Sequence, residues 1–283
     1  MTSLAIGASW LSREGKRTLR SLCPRPILEW REAQYYARYG EIELHFLDIL
    51  CARGSVAIDV GAHDGCYVRP LRSLAGHVHA FEANPLLAHA LSARFTRKVT
   101  VHEVALSREP GIARFCTPIV EGQPVLGCAT ISQEALGAYT NYREMEVPAD
   151  TLDSFGFRDV GYIKVDVEGH EPDVLEGARA TLAESHPNIM VEAIEWLAPG
   201  AIVRIERFLE KLDYEGYFVW RRTVLPIRLF DPALMQRRED SPNLLARLDE
   251  RERFGPFVSN FLFLPSGKAD ALLTKLRQRL LHL

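Results

Sequence analysis

A group of ionisable residues in the second half of the chain could take up a proton. In the segment Asp166-Val167-Glu168-Gly169-His170, two carboxylates and an imidazole follow an apolar run. An alcohol loses its proton only as it reacts, and a neutral imidazole or a carboxylate within hydrogen-bond reach can accept that proton. We predict that His170 is a general base, with Glu168 orienting an acceptor hydroxyl or acting as the base itself. The alternative is a histidine that only caps or orients the next helix.

A glycine-containing turn could hold a ligand that carries a positive charge. Residues 56–65 form an apolar run that ends in a turn, and a helical pattern follows. This is typical of a buried parallel strand that leads into a helix beneath a nucleotide-like ligand. Gly61 and Gly65 have no Cβ, so the backbone can turn tightly and approach the ligand closely. Asp59 would repel a phosphate, but it can serve a cationic or amino-bearing ligand.

Glu82 is a candidate for binding a ribose. It ends the next apolar run, residues 77–81, about twenty residues after the glycines. In doubly wound sheets a carboxylate at this place accepts the ribose hydroxyls of the ligand.

The predicted elements would bring these residues to one edge of a sheet. We predict strands at 56–60, 77–81, 99–104, 162–167, 188–193, 217–220 and 260–264. Helical patterns begin near residues 66, 85, 172, 201 and 268. Strands that alternate with helices predict a parallel sheet with right-handed crossovers. Alternation along the fourth strand would place Asp166 and Glu168 on one face.

The alternation lapses between residues 111 and 147. Glycines and prolines interrupt this stretch, and the short apolar runs at 113–115 and 129–131 predict an inserted β-hairpin. Insertions at the carboxyl edge of a sheet commonly determine specificity. We therefore predict that this insertion binds the acceptor.

Four successive motifs together resemble those of the FkbM family of S-adenosylmethionine-dependent methyltransferases. They are Asp59-Val60-Gly61-Ala62-x-x-Gly65, Phe81-Glu82-Ala83-Asn84-Pro85, Val104-Ala105-Leu106-Ser107 and Lys164-Val165-Asp166-Val167-Glu168-Gly169-His170-Glu171. The resemblance covers about residues 35–264, with the motifs in family order and spacing. It implies methyl transfer, usually to a hydroxyl of a sugar, glycolipid or secondary metabolite.

The resemblance also implies roles for individual residues in binding the cofactor S-adenosylmethionine. The predicted cofactor-binding residues are Asp59, Gly61, Ala62, His63, Gly65, Glu82, Ala83, Asn84, Val104 and Ala105. The first five would line the amino-acid and ribose portion, and Glu82 would accept both ribose hydroxyls. The last four would flank or contact the adenine.

The predicted catalytic residues are His170, Glu168 and Asp166. Asp166, Glu168 and Glu192 could also offer oxygen ligands to Mg²⁺. The more ordinary role of such carboxylates is to satisfy backbone donors or to contact the cofactor. We therefore predict no metal.

The predicted fold class is an α/β, Rossmann-like class I methyltransferase fold. Its sheet would have seven mostly parallel strands with the last strand antiparallel, helices on both faces and an inserted β-hairpin. The predicted organisation has an N-terminal helical arm or cap at 1–51, the methyltransferase domain at 52–265 with the insertion at about 111–147, and a C-terminal helix at 266–283. Three tyrosines of the arm, Tyr35, Tyr36 and Tyr39, are candidate substrate contacts.

Charge and composition limit the classes of partner that the protein is expected to bind. The net charge of −3 divides into +4 for residues 1–40, −11 for 41–200 and +4 for 201–283. An acidic centre disfavours nucleic acid and suits a sulfonium cofactor and a small hydroxylated acceptor. No apolar run is long enough to span a bilayer. The basic cluster of Arg13, Lys16, Arg17 and Arg20 is a solvated helix or a peripheral membrane contact, and a homo-oligomer is also left open.

The five cysteines form no CxxC motif, and their number is odd. This pattern favours reduced thiols and a cytoplasmic location. The short apolar patch at residues 4–11 lacks a basic residue before it and a cleavage-like site after it, so we expect no signal peptide.

Two other functions remain open from the sequence. An NAD(P)-dependent oxidoreductase shares the strand, turn and ribose carboxylate, but it expects GxGxxG, and Asp59 stands at the first glycine position. A non-catalytic adapter could keep the fold and the cofactor as a scaffold. It would be expected to lose the cradle or the base, and both are intact here.

Overall fold

The computed structural model describes residues 25–241 and 255–283. The basic cluster of the N-terminus lies outside the described residues. The strands are β1 Val56–Val60, β2 His77–Phe81, β3 Val99–His102, β4 Ala105–Leu106, β5 Gly111–Val120, β6 Gln123–Pro124, β7 Tyr142–Asp150, β8 Val160–Val165, β9 Asn188–Glu192, β10 Tyr214–Trp220, β11 Thr223–Pro226 and β12 Asn260–Pro265. The α-helices are α1 Arg25–Tyr39, α2 Leu47–Leu50, α3 Val68–Leu74, α4 Pro85–Arg94, α5 Gln133–Leu136, α6 Glu171–Glu176, α7 Arg179–Ser185, α8 Ala201–Glu210, α9 Pro232–Met235 and α10 Ala269–Leu281.

The main sheet has the order β11-β10-β12-β9-β8-β1-β2-β3. Strands β9, β8, β1, β2 and β3 pair in parallel, and their apolar residues are buried because helices cover both faces of the sheet. Strand β12 is antiparallel to both neighbours, β9 and β10. The predicted fold class, with an antiparallel last strand, is confirmed.

The predicted count of seven strands is wrong, because β11 adds an eighth strand at the edge. Strands β10 and β11 form an antiparallel hairpin in which Trp220 pairs with Thr223. The two residues between them, Arg221 and Arg222, have φ angles of 45° and 66°. Such a two-residue turn normally signals itself by Asn-Gly or a similar pair, and two arginines give no such signal.

Two other strands end earlier than predicted. Strand β8 ends at Val165 and β3 ends at His102, each two residues before its predicted end. Asp166 and Glu168 are therefore in the turn after β8, and their placement does not follow from strand alternation.

The insertion forms a second sheet with the order β4-β7-β5-β6. Its main hairpin pairs β5 with β7, so the second strand is 142–150 rather than the predicted 129–131, and the insertion continues beyond residue 147. Thr130 makes only an isolated bridge to Cys116. The short apolar run around it is not a strand; its residues Ala129 and Ile131 pack against the small apolar cluster of Ala105, Phe115 and Val147.

The short helix α2 and the C-terminal helix α10 pack into the core on one face of the main sheet. Residues from α2, α3 and α10 share one apolar cluster, while α6, α7 and α8 cover the opposite face. Arg279 of α10 also donates to the carboxylate of Asp48 in α2, at 2.8 and 2.9 Å. Among the described residues, no helix is both long and apolar enough to cross a membrane.

Candidate functional site

A cavity of about 500 Å³ opens at the carboxyl ends of β1, β2 and β8. Its walls come from residues 36–44, 59–67, 81–83, 104–106, 115, 125–131, 164–170 and 192. All of the predicted cofactor-binding and catalytic residues line this cavity except Gly65 and Asn84. Of the three candidate tyrosines of the arm, Tyr36 lines it, and Tyr35 and Tyr39 do not. Ligands of open α/β sheets bind at this edge, so the topology alone makes the cavity the primary candidate site.

Gly61 joins the turn after β1 to the turn after β8. Its φ is +81°, and a Cβ at this position would lie 1.8 Å from the carbonyl oxygen of Asp166. The Gly61 N–H donates to the carbonyl of Phe81, at 2.9 Å. Only glycine fits such a position, because the left-handed backbone and the close approach both exclude a side chain.

Gly65 and Asn84 have structural roles that explain their residue types. A Cβ on Gly65 would meet the side chains of Phe95 and Leu91, so Gly65 faces helix α4 rather than the cavity. Asn84 caps α4, and its Oδ1 accepts a hydrogen bond from the Leu86 N–H at 3.0 Å. Their contact with a cofactor stays a prediction.

Asp59 points a buried carboxylate at the cavity. Its side chain is 2 % exposed, and burial raises its pKa to about 7, against the lowering effect of Lys164. Within the described residues, its Oδ2 atom has no hydrogen-bond partner. A buried carboxylate oxygen without a donor is costly, so a cationic or amino-bearing ligand would stabilise it.

The Glu82 carboxylate is held in place by backbone donors on both sides. The His63 N–H donates to Oε2 and the Asn84 N–H donates to Oε1, each at 2.8 Å. Burial raises the pKa of Glu82, and these two hydrogen bonds oppose that change. Each carboxylate oxygen keeps a lone pair, so the group is oriented to accept two hydroxyls, as binding of a ribose requires.

The insertion supplies a part of the cavity wall beside the glycine turn. His63 has a φ of +45°, and a Cβ on Gly127 would lie 3.9 Å from its Nε2 atom. Ala83, Val104 and Ala105 also line the cavity. The loop 125–131 therefore lines the cavity together with the predicted cofactor-binding residues.

The turn that carries the predicted catalytic residues is strained and braced. Glu168 has a φ of +54° and Gly169 a φ of +95°. Below them, Glu171 Oε1 accepts hydrogen bonds from the N–H groups of Val167 and Gly169, at 3.1 and 2.9 Å. A non-glycine residue in a left-handed conformation persists only where its surroundings enforce it, and such residues cluster at functional sites. The sequence indicated Glu171 only as a favourable charge at a helix start.

His170 precedes α6 and lies between two polar side chains. Its Nε2 is 3.0 Å from the Ser107 hydroxyl, and its Nδ1 is 3.7 Å from Asp173 Oδ2. Burial lowers the pKa of His170, although Asp173 opposes this effect. The imidazole is therefore neutral near pH 7, which a proton acceptor requires. Sequence reasoning missed Ser107 and Asp173 as its partners.

A buried ammonium group lies among the remaining carboxylates. Lys164 is 1 % exposed, and its Nζ is 3.3 Å from Asp166 and 3.9 Å from Glu192. Burial lowers the pKa of Lys164, but the surrounding carboxylates together raise it by more; these are Asp166, Glu192, Glu41 and Asp59. Lys164 thus supplies positive charge where the sequence allowed a magnesium ion. Within residues 25–241 and 255–283, no three potential ligands are grouped as a ready metal site.

One cavity residue that the sequence analysis missed is Glu41. Glu41 Oε2 accepts a hydrogen bond from the Tyr67 hydroxyl, at 2.5 Å, and another from Asn260 Nδ2, at 3.3 Å. Glu41 precedes the core elements, and its partners are distant in sequence, so no local pattern marks it.

The sheet and the cavity together define a protein class. A mostly parallel sheet with an antiparallel strand inserted between β9 and β10, and an acidic cradle at its carboxyl edge, is the arrangement of Rossmann-like class I methyltransferases. The model of the methyltransferase FkbM domain matches residues 59–215, more than half of the chain. This chain belongs to the FkbM methyltransferase family.

The chain resembles three solved methyltransferases at low sequence identity. The methyltransferase FkbM from Methylobacillus flagellatus is 14% identical, with a TM-score of 0.46, over 74% of this chain and 43% of its own. The SAM-dependent O-methyltransferase from Thermotoga maritima is 11% identical, with a TM-score of 0.37, over 78% and 63% of the two chains. A TehB-like SAM-dependent methyltransferase from Corynebacterium glutamicum is 13% identical, with a TM-score of 0.37, over 84% and 96%. No curated protein sequence matches the chain. The family assignment comes from the domain match.

Proposed function

We propose that this protein is an S-adenosylmethionine-dependent O-methyltransferase that acts on a hydroxyl of a small acceptor. The acceptor class is a sugar, a glycolipid or a natural-product intermediate. The observation that carries the proposal is the pair of buried carboxylates on one cavity wall. Glu82 is oriented by two backbone donors, and Asp59 has an oxygen without a donor.

These two carboxylates fit the two ends of the proposed cofactor. Glu82 would accept the ribose hydroxyls, and Asp59 would face the positively charged amino-acid end. His63, Gly61 and Ala62 would line the same portion, while Ala83, Val104 and Ala105 would contact the base. When bound, S-adenosylmethionine supplies an activated methyl group that is transferred by in-line displacement.

The turn after β8 would handle the acceptor proton. We assign proton removal to His170, whose imidazole is neutral because burial lowers its pKa. Glu168 would orient the acceptor hydroxyl. Asp166 would balance the positive charge of Lys164, since its carboxylate contacts the Lys164 ammonium group. The insertion loop 125–131 would then determine which acceptor enters, since it forms part of the cavity wall.

The surroundings of the reaction also belong to the proposal. We place it in the cytoplasm, because the cysteines of the described chain, Cys51, Cys66, Cys116 and Cys128, are free thiols. The basic N-terminus would allow a peripheral membrane contact, and a homo-oligomer is compatible with the proposal.

Titration calorimetry with S-adenosylhomocysteine, run beside NAD, tests the proposal. We expect S-adenosylhomocysteine to bind and NAD not to bind. The Glu82→Ala variant should lose at least about 1.4 kcal/mol of binding free energy, which is about tenfold in affinity. The matched control is Glu103→Ala, since Glu103 is exposed and does not line the cavity.

Two results would contradict the proposal. Binding of NAD alone would favour an oxidoreductase. Binding of neither ligand by a folded protein would favour a non-catalytic adapter.

A further inference from the structure

Three histidines form a cluster outside the cavity, on one face of the main sheet near its β3 edge. His77 and His79 are two residues apart on β2, so their side chains share a face, and His102 ends the neighbouring strand β3. The ring centroids of His77 and His79 are 4.8 Å apart, and those of His79 and His102 are 5.3 Å apart. None of the three lines the cavity, so the methyltransferase proposal gives this histidine cluster no role.

Two ring nitrogens of the cluster already face each other. His79 Nδ1 lies 3.0 Å from His102 Nε2. Two imidazole nitrogens bound to one tetrahedral Zn²⁺, at about 2.0–2.1 Å each, are about 3.3 Å apart. To hold a metal ion in place of the shared proton, the two nitrogens need to separate by about 0.3 Å, and each ring needs to turn so that both lone pairs meet at the metal.

Aromatic side chains hold these two rings in position. The Phe157 ring centroid is 4.1 Å from that of His79, and the rings of Phe155 and Phe81 are 5.0 and 4.5 Å from His102. Rings fixed by such packing lose little conformational entropy when they bind a metal, which favours binding. Both histidines remain partly exposed, so water can complete the coordination.

Neutral imidazole is the form that binds a metal, and each of the two rings offers one nitrogen atom to the pair. His77 has a separate partner, because its Nε2 lies 2.8 Å from the Thr100 hydroxyl.

We propose that His79 and His102 form a two-histidine site for a divalent transition metal such as Zn²⁺, Ni²⁺ or Cu²⁺, with water as the remaining ligand. Imidazole nitrogen suits these three metals, and the absence of a charged oxygen ligand from the pair disfavours Mg²⁺ and Ca²⁺. The site joins β2 to β3 next to the cavity. The carbonyl of His102 accepts a hydrogen bond from the Glu82 N–H, at 3.0 Å.

Titration of the full chain, freed of any purification tag, with NiCl₂ in a calorimeter tests the site. We expect one binding event that weakens at least about tenfold, or about 1.4 kcal/mol, in both His79→Gln and His102→Gln. His89→Gln is the matched control, because His89 is exposed on α4 and outside the cluster. Its affinity should equal that of the unaltered chain.

Electron paramagnetic resonance with one equivalent of Cu²⁺ gives an independent measurement. We expect nitrogen couplings from two imidazoles, reduced to one or none in either cluster variant. The metal should also raise the melting temperature of the unaltered chain but not of His79→Gln, since a ligand that binds only the folded state stabilises it.

Three results would overturn the site. The first is the absence of Ni²⁺ binding up to about 1 mM, which corresponds to about −4.1 kcal/mol. The second is Ni²⁺ binding by the folded His79→Gln and His102→Gln variants with the affinity of the unaltered chain. The third is a Cu²⁺ spectrum without coupled imidazole nitrogens. None of these results would bear on S-adenosylhomocysteine binding, so this proposal and the methyltransferase proposal fail separately.

Discussion

The two halves of the cavity are built differently. In the cofactor-side half, backbone groups of adjacent parallel strands position Asp59 and Glu82. In the half around residues 164–171, the turn is strained, and side chains hold it, with Glu171 bracing the backbone and Lys164 lying between carboxylates. Under the proposed function, the regular half would bind the cofactor, whereas the irregular half would contact the acceptor.

Replacing Gly61 should disrupt the contact between the two halves of the cavity and give the largest loss of stability. A Cβ at Gly61 would lie 1.8 Å from the Asp166 carbonyl oxygen, at a φ of +81°. We expect Gly61→Ala to lower the free energy of unfolding by about 3 kcal/mol, measured by urea denaturation. Gly111→Ala is the control, because no atom lies within 4 Å of its added Cβ. Equal stability of the two variants would show that the halves do not meet at Gly61.

The free energy of unfolding should depend on pH because the Asp59 carboxylate ionises. Its folded-state pKa of about 7 is above the ordinary value of 3.8, so the folded state binds the proton more tightly. The contribution of Asp59 to the stability of the fold is therefore full below pH 3.8 and is lost as the pH rises through about 7. At pH 8, we expect Asp59→Asn to be more stable than the unaltered chain by about 2 kcal/mol, although it should bind S-adenosylhomocysteine more weakly.

The comparison at pH 5 supplies the control for that prediction. The stability advantage of Asp59→Asn should be smaller at pH 5 than at pH 8. An advantage that does not change with pH would mean that the Asp59 carboxylate ionises in the folded state as it does in the unfolded chain.

Substitution of Glu168 should give the smallest effect and measure the strain of the irregular half. Because Glu168 has a φ of +54°, glycine suits the backbone there better than alanine does. We expect Glu168→Gly to be more stable than Glu168→Ala by about 1 kcal/mol in urea denaturation. Equal stabilities would indicate that the turn relaxes to a negative φ when the Glu168 side chain is removed.

The same contrast explains what the sequence could predict. The strand before Gly61 and the place of Glu82 follow from hydrophobic pattern and spacing, because the parallel sheet repeats a regular geometry. The end of β8, the brace from Glu171 and the contacts of Glu41 depend on partners that are distant in sequence or on an unusual φ. Strand β11 escaped prediction for a similar reason, since the Arg221-Arg222 turn carries no glycine or asparagine.

A crystal structure of the protein with S-adenosylhomocysteine tests the central claim most directly. We predict that the ribose hydroxyls contact both carboxylate oxygens of Glu82 and that the amino end of the ligand contacts Asp59. The sulfur should then face the turn of residues 166–170. A ligand bound outside this cavity, or one bound with its ribose away from Glu82, would contradict the account.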